Sequence, residues 1–283
     1  LPISTAWRYS EDAKKKGMTA VVFVGGRMGK YSAVSEEIMT LIQGVVEKAR
    51  PPKFPKRNFE RASVDEAYVD LSFGGNFKKA ESICKKIKKE IKDKEKLTCA
   101  VGLGHNKLIA KIASDMQKPD GLTVVLPEEA EKFLDPLGIR KIPGIGPKAE
   151  ITLNKLGIKT VGDLKTVSLA KLKELMGKWG EDLYRKARGL DDSPVSNEYE
   201  AKSIGEQETF REDSADANFI TTRVKELSKN VIKRLGTSDF KTYRAMGITV
   251  RFSDFETKTR AHTLFGGASD AKTLEFEALK LLM

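Results

Sequence analysis

Apolar positions recur with two different periods along this chain, and the changes of period mark its elements. Residues 1–45 show a helical pattern that puts Met39, Ile42 and Val46 on one face. Ahead of that face, the apolar run Ala20-Val21-Val22-Phe23-Val24 reads as a short strand. A Pro-rich basic stretch at 51–57 then interrupts as a surface loop. Tyr68-Val69-Asp70-Leu71-Ser72 alternates with period two and predicts a strand, with Asp70 facing solvent. Residues 80–93 return to helical spacing, with Ile83, Ile87 and Ile91 opposite a lysine face. A strand over Leu97–Leu103 follows. Asn106 is placed to cap a helix from Lys107 to Gln117, whose core face is Ile109, Ile112, Ala113 and Met116. Leu122–Leu126 predicts a third strand, so this first region is a layered unit of helices on a mixed sheet.

From Pro127 the pattern shortens into small helices joined by Gly-containing turns, as far as about Gly189. Residues 191–201 carry no periodicity and read as a linker. Beyond them come a strand over Ile204–Phe210, a helix over 215–235, strands over 244–252 and 257–264, and a closing helix from Ala271. The fold class is α+β and multidomain. No internal repeat is visible.

Composition narrows this picture. Hydrophobic residues are 40% of the 283, enough for real cores, and no apolar run reaches the ~18 residues of a membrane helix. No signal peptide is visible, and the absence of an initiating Met leaves room for residues upstream. Cys84 and Cys99 have neither zinc nor redox spacing and read as buried, reduced thiols. The location expected is cytoplasmic. The net charge of +11 fits a polyanion partner, and equally a lysine-rich soluble surface.

Three segments carry candidate chemistry. Ile142-Pro143-Gly144-Ile145-Gly146-Pro147-Lys148 followed by Leu153, Leu156, Gly157 and Ile158 describes a helix–hairpin–helix. Gly144 and Gly146 let backbone N–H groups approach a phosphate at a helix N-terminus, and Lys148 adds a charge. Such a hairpin grips a DNA strand without reading its sequence. In Ser63-Val64-Asp65-Glu66-Ala67-Tyr68, adjacent acids share a site only at a strand end or a tight hairpin. Placed there they can hold divalent ions for phosphoryl transfer; otherwise they are a solvated turn. Lys118, at a helix end before Pro119, can neutralise a triphosphate or simply complement the helix C-terminus.

In this order, these segments resemble the Y-family DNA polymerases of the DNA polymerase IV type. Ser63–Tyr68 is similar to the family's palm motif, Lys118-Pro119-Asp120-Gly121 to its triphosphate-contacting segment, and Ile142–Ile158 to its thumb hairpin. Lys202-Ser203-Ile204-Gly205 with Glu208-Thr209-Phe210 resembles the first strand of its little finger. Leu1-Pro2-Ile3, and Tyr31 with Ser35, fit the end of the fingers and the start of the palm helix. The resemblance implies a fingers remnant at 1–18, a partial palm at 19–126, a helical thumb at 127–190, a linker at 191–201 and an incomplete little finger at 202–283.

It implies template-directed DNA synthesis past damaged bases. Asp65 and Glu66 would serve two Mg²⁺ ions, and Lys118 the incoming deoxynucleoside triphosphate. Gly144, Gly146, Lys148, Lys202 and Ser203 would hold primer–template DNA, in a monomer that a sliding clamp can recruit. The family's first metal-binding aspartate, its sugar-selecting residue and its fingers tyrosine and arginine have no counterpart here. The expectation is therefore a chain cut at both ends that binds DNA and polymerises poorly. A DNA-binding scaffold without catalysis and a structure-specific nuclease are the alternatives, the latter short of carboxylates.

Overall fold

The computed structural model describes residues 3–19, 21–54, 59–198 and 201–283 of the chain. It divides after residue 198 into two compact units.

The first unit opens with α1 (Ile3–Lys15) and α2 (Met28–Ala49). Met39 and Val46 are buried, as the helical spacing requires, with Ile42 half-buried beside them. An antiparallel hairpin follows, β1 (Phe59–Arg61) with β2 (Ala67–Val69), in the register Phe59↔Val69 and Arg61↔Ala67. α3 (Phe77–Glu95) starts where the Asn76 side chain accepts from Lys79 N at 3.0 Å. It buries Ala80, Cys84, Ile87 and Ile91. β3 (Val101–Leu103) pairs in parallel with β4 (Leu122–Val124), and α4 (Lys107–Ser114) crosses between them. Asn106 caps α4 by accepting from Ile109 N at 2.9 Å, as expected. Below these elements Val45, Val46, Leu71, Ala80, Cys84, Ile87, Ile91 and Leu103 close one core.

Five short helices complete the unit: α5 (Ala130–Leu134), α6 (Pro147–Lys155), α7 (Val161–Thr166), α8 (Leu169–Met176) and α9 (Lys178–Lys186). Helices this short are marginal in water, so packing must hold them. Leu134, Leu153, Leu164, Leu172 and Leu183 are fully buried together, and Leu108, Ile109, Ile112 and Ala113 of α4 belong to the same core. α4 therefore serves two layers at once.

The second unit contains α10 (Ala217–Gly236), an antiparallel ribbon of β5 (Tyr243–Arg251) and β6 (Thr257–Ala268), and α11 (Ala271–Leu282). Asp216 and Asp270 cap the two helices.

The strand expected over Tyr68–Ser72 runs Ala67–Val69 instead, that over Leu97–Leu103 is only Val101–Leu103, and the structure departs further from the sequence reading at four places. Residues 21–24 form no strand, and Val21, Val22, Phe23 and Val24 are exposed; Ala20 lies outside the described residues. Residues 204–210 form no ladder either, being held instead by side chains of α10. Arg234 donates to the Gly205 carbonyl at 2.8 Å, Arg223 pairs with Glu208, and Phe210 meets Phe219 edge-on at 4.9 Å. α4 stops at Ser114 because the next two N–H groups turn back to Ile112 and Ala113, which leaves Met116 exposed. Cys99 is half-buried rather than buried. Part of the Pro-rich stretch (55–57), the pair Leu1-Pro2 and part of the 191–201 segment lie outside the described residues. Among the described residues no helix is long and apolar enough to cross a membrane.

Burial pushes the Cys84 thiol up to about 11. An unfolded thiol ionises near ~8.5, so the native state keeps its proton longer. Stability tied to this group is complete below the unfolded value and is lost as pH rises through the folded one. At about pH 8, a disulfide reagent should therefore label Cys99 ahead of Cys84, which reacts only after denaturation. Equal rates for both in the folded chain would contradict the packing described.

Candidate active site and nucleic-acid interface

The five residues between β1 and β2 make a tight turn, in which Ala62 N and Ser63 N both donate to the Glu66 carbonyl, at 2.9 and 3.1 Å. This turn meets the condition under which adjacent acids share a site, since neither Asp65 nor Glu66 lies in a strand. The Ser63 hydroxyl donates to Asp65 Oδ1 at 2.7 Å and steadies that carboxylate. From α2, the buried Ser35 hydroxyl donates to the Val64 carbonyl, while Arg61 donates to Ser35 Oγ at 2.9 Å. A buried serine thus fixes the tip of the hairpin. Tyr31, its companion in the sequence reading, is exposed at the start of α2.

Glu66 is not free. Lys111, on the face of α4 toward the turn, places Nζ 2.6 Å from Glu66 Oε1 and 3.5 Å from Asp115 Oδ2. Asp115 Oδ1 in turn receives Lys118 Nζ at 2.5 Å. The turn and the Lys118 segment are therefore joined by Glu66–Lys111–Asp115–Lys118, whose two middle members the sequence reading passed over. Burial alone would pull the Lys111 ammonium down, but the Glu66 hydrogen bond and the two carboxylate charges hold its pKa above the ordinary lysine value. Asp115 feels the reverse balance: partial burial would raise it, and Lys118 and Lys111 hold it below the usual carboxylate range. An i,i+4 spacing of Lys111 and Asp115 on a helical pattern was the available signal.

Further along α4, Lys107 donates to both oxygens of Glu60 at 2.7 Å and lies 4.8 Å above the Tyr68 ring. Asn106 donates to the Gly189 carbonyl at 2.7 Å, Leu108 N to Asp191 Oδ2 at 3.0 Å, and Ser196 N to Glu60 Oε2 at 3.1 Å. Residues 189–196, without periodicity in the sequence, are stitched to α4 and β1 by these bonds.

In the helix–hairpin–helix, a single 3₁₀ turn (Ile139–Lys141) leads into the Gly-x-Gly turn in place of a full first helix. Gly144 has φ +102°, which side chains rarely adopt, so the glycine is required there. Gly146 precedes α6 and Pro147 opens it, so the first-turn N–H groups lack partners within the helix, beside the exposed Lys148. Ile142, Ile145, Leu153 and Ile158 are buried beneath and fix the turn.

In the second unit Lys202 and Ser203 are exposed. The open face of the ribbon adds Arg251, Thr257 and Thr259, with Thr249 Oγ1 3.0 Å from Thr259 Oγ1; sequence periodicity gave these no role.

Comparison with known proteins bears on the whole chain. Residues 3–115 match the impB/mucB/samB family, 140–191 the thumb domain of DNA polymerase iota, and 201–283 the impB/mucB/samB C-terminal domain. DNA polymerase IV 2 of Methanosarcina mazei is 39% identical over all 283 residues, which cover 72% of that protein. The chain belongs to the Y family of DNA polymerases. DNA polymerase IV of Nitrosopumilus maritimus is 35% identical, with 100% of this chain and 74% of that protein covered. Among solved structures, a Y-family polymerase chimera of Dbh and Dpo4 aligns over 96% of this chain and 79% of its own, with TM-score 0.79 and 29% identity. An insertion ternary complex of Dbh DNA polymerase aligns over 100% and 76%, with TM-score 0.62 and 29% identity. This Y-family chain is a DNA-directed DNA polymerase of the translesion type, with palm, helix–hairpin–helix thumb and little-finger folds. That assignment stands over the scaffold and nuclease alternatives.

Proposed function

We propose that this Y-family polymerase extends a primer at the β1–β2 turn, with Asp65 and Glu66 as the metal-holding carboxylates. One observation carries the reading: the turn presents two adjacent carboxylates and is linked through one lysine and one aspartate to Lys118. The donor set fits Mg²⁺, which takes oxygen ligands from one or two carboxylates plus substrate phosphates. The Lys111 ammonium rests against Glu66, so that carboxylate faces a cation position, which a metal would have to take from the lysine. Two Mg²⁺ ions, when bound, activate the primer hydroxyl and offset charge on the triphosphate.

Lys118 neutralises that triphosphate. Gly144, Gly146 and Lys148 hold the primer–template backbone, and Lys202 and Ser203 contact it from the little finger. The net charge of +11 supports a polyanion partner inside the cell. A sliding clamp would recruit the chain as a monomer. We place the fingers remnant at 1–18, the palm at 19–126, the thumb at 127–190, the linker at 191–201 and the little finger from 202.

Catalysis by this chain is proposed to be slow. Two ions 3.5–4 Å apart call for more anionic ligands than one turn supplies. Among the described residues no cluster of three or more His, Cys, Asp or Glu forms a metal site.

Primer extension with Mg²⁺ and all four deoxynucleotides, on this chain and on Asp65→Ala, tests the reading. Incorporation should be weak, and should fall by about a hundredfold or more in the variant, since even a residue that only supports a metal ligand is worth ~10–100-fold. Incorporation equal in both would remove Asp65 from the site.

A further inference from the structure

The chain of charges from Glu66 to Lys118 calls for an explanation other than stability. Its members are partly exposed, with side-chain accessibilities of 42% for Glu66, 24% for Lys111, 31% for Asp115 and 58% for Lys118. Ion pairs so exposed contribute little to folding. Position is what distinguishes them.

Lys111 stands between two carboxylates and Asp115 between two ammonium groups. The lysine is close to Glu66, at 2.6 Å, and within easy reach of Asp115, at 3.5 Å. A divalent ion on Glu66 would put like charges in contact, so the Lys111 ammonium must leave. Its seat is already marked at Asp115, the C-cap of its own helix. Once it settles there, Asp115 must divide its charge between two cations. The more exposed of them, Lys118, is then held less tightly.

We propose that Lys111 and Asp115 are positioning residues that form an ion-exchange relay between the metal-holding turn and the triphosphate lysine. Lys111 guards Glu66 as a resident cation until a divalent ion takes that carboxylate, then moves onto Asp115 and releases Lys118 toward the nucleotide. The relay rests on the reading of Asp65 and Glu66 as metal ligands and of Lys118 as the triphosphate ligand.

The test is a titration of the chain with Mn²⁺ alone, without DNA or nucleotide, following free Mn²⁺ by electron paramagnetic resonance. Lys111→Met should tighten Mn²⁺ binding by about fivefold or more, the usual scale of coupling between sites. Lys85→Met, an equal charge change at an exposed lysine of α3 that pairs with Glu81, should leave it within about twofold. Asp115→Asn removes the alternative seat and should weaken binding in the parent, yet change nothing once Lys111 is methionine. Ordinary through-space attraction would instead weaken it equally in both backgrounds, and that additivity would overturn the relay. Asp115→Asn should also bind dATP more tightly than the parent in the presence of EDTA, because Lys118 is released; no change there counts against it as well. A double Asp65→Asn, Glu66→Gln variant separates the two readings. If it still binds Mn²⁺ as the parent does, the metal-ligand reading fails; if it loses Mn²⁺ while Lys111→Met changes nothing, the relay alone fails.

Discussion

Gly102→Ala should destabilise the first unit by about 3 kcal/mol or more, the upper end of what overpacking costs. A Cβ at this position of β3 would lie 2.0 Å from the Ala110 carbonyl oxygen and 2.4 Å from Ser114 N. Both are backbone atoms of α4 and its end, so no side chain can swing aside; the helix itself must retreat. That helix buries Leu108, Ile109, Ile112 and Ala113 and carries Lys107 and Lys111, so the retreat costs both packing and the site. Natural domains are stable by only ~5–15 kcal/mol, so such a loss is a large part of the total. Urea unfolding followed by tryptophan fluorescence reads it directly, because both tryptophans, Trp7 and Trp179, lie in the first unit. A shift under about 1 kcal/mol would mean that β3 and α4 yield more easily than the contact distances imply.

Duplex binding should weaken by about a thousandfold when salt rises from roughly 50 to 200 mM. A grip on phosphates releases condensed counterions, and affinity then falls as a power of salt concentration set by the number of phosphates neutralised. On the proposed reading, the N–H groups at the start of α6 and the exposed Lys148 supply such a grip, in a chain of net charge +11. Lys148→Ala should weaken binding to all sequences alike and lower the salt slope by about one. Fluorescence anisotropy with two unrelated duplexes at four salt concentrations measures both quantities. A slope near zero, or a loss confined to one sequence, would sink the proposed backbone contact.

Much of this architecture follows from local pattern. The spacing of Met39 and Val46, of Ile87 and Ile91, and of Ile109 and Ile112 points to the faces that are buried. The Asn106 cap was legible because an Asn side chain before a helical run has one obvious partner. The two-residue period of strands left Asp65 and Glu66 a common site only at a strand end or in a tight turn, and a turn is where they lie. What escaped depends on partners distant in sequence. β1 is three residues long, too short to show alternation, and its Glu60 acquires meaning only from Lys107 and Ser196. The run Val21–Val24 has strand composition, but a ladder needs a second strand, and none is bonded to it among the described residues. Gly102 looks like any small residue in an apolar strand, because the backbone that crowds it comes from another element. Ser35 was visible only through family resemblance, since nothing in its own helix says that it meets Val64.

Helix α4 has one face in the core of the short-helix region and borders β3 and β4, and its N-terminal end is bonded to Gly189 and Asp191, where the chain leaves that region. It therefore belongs to two regions at once: any substitution that shifts α4 within the short-helix core is expected also to draw Lys111 away from Glu66, so damage to packing in one region is felt at the carboxylate turn of the other.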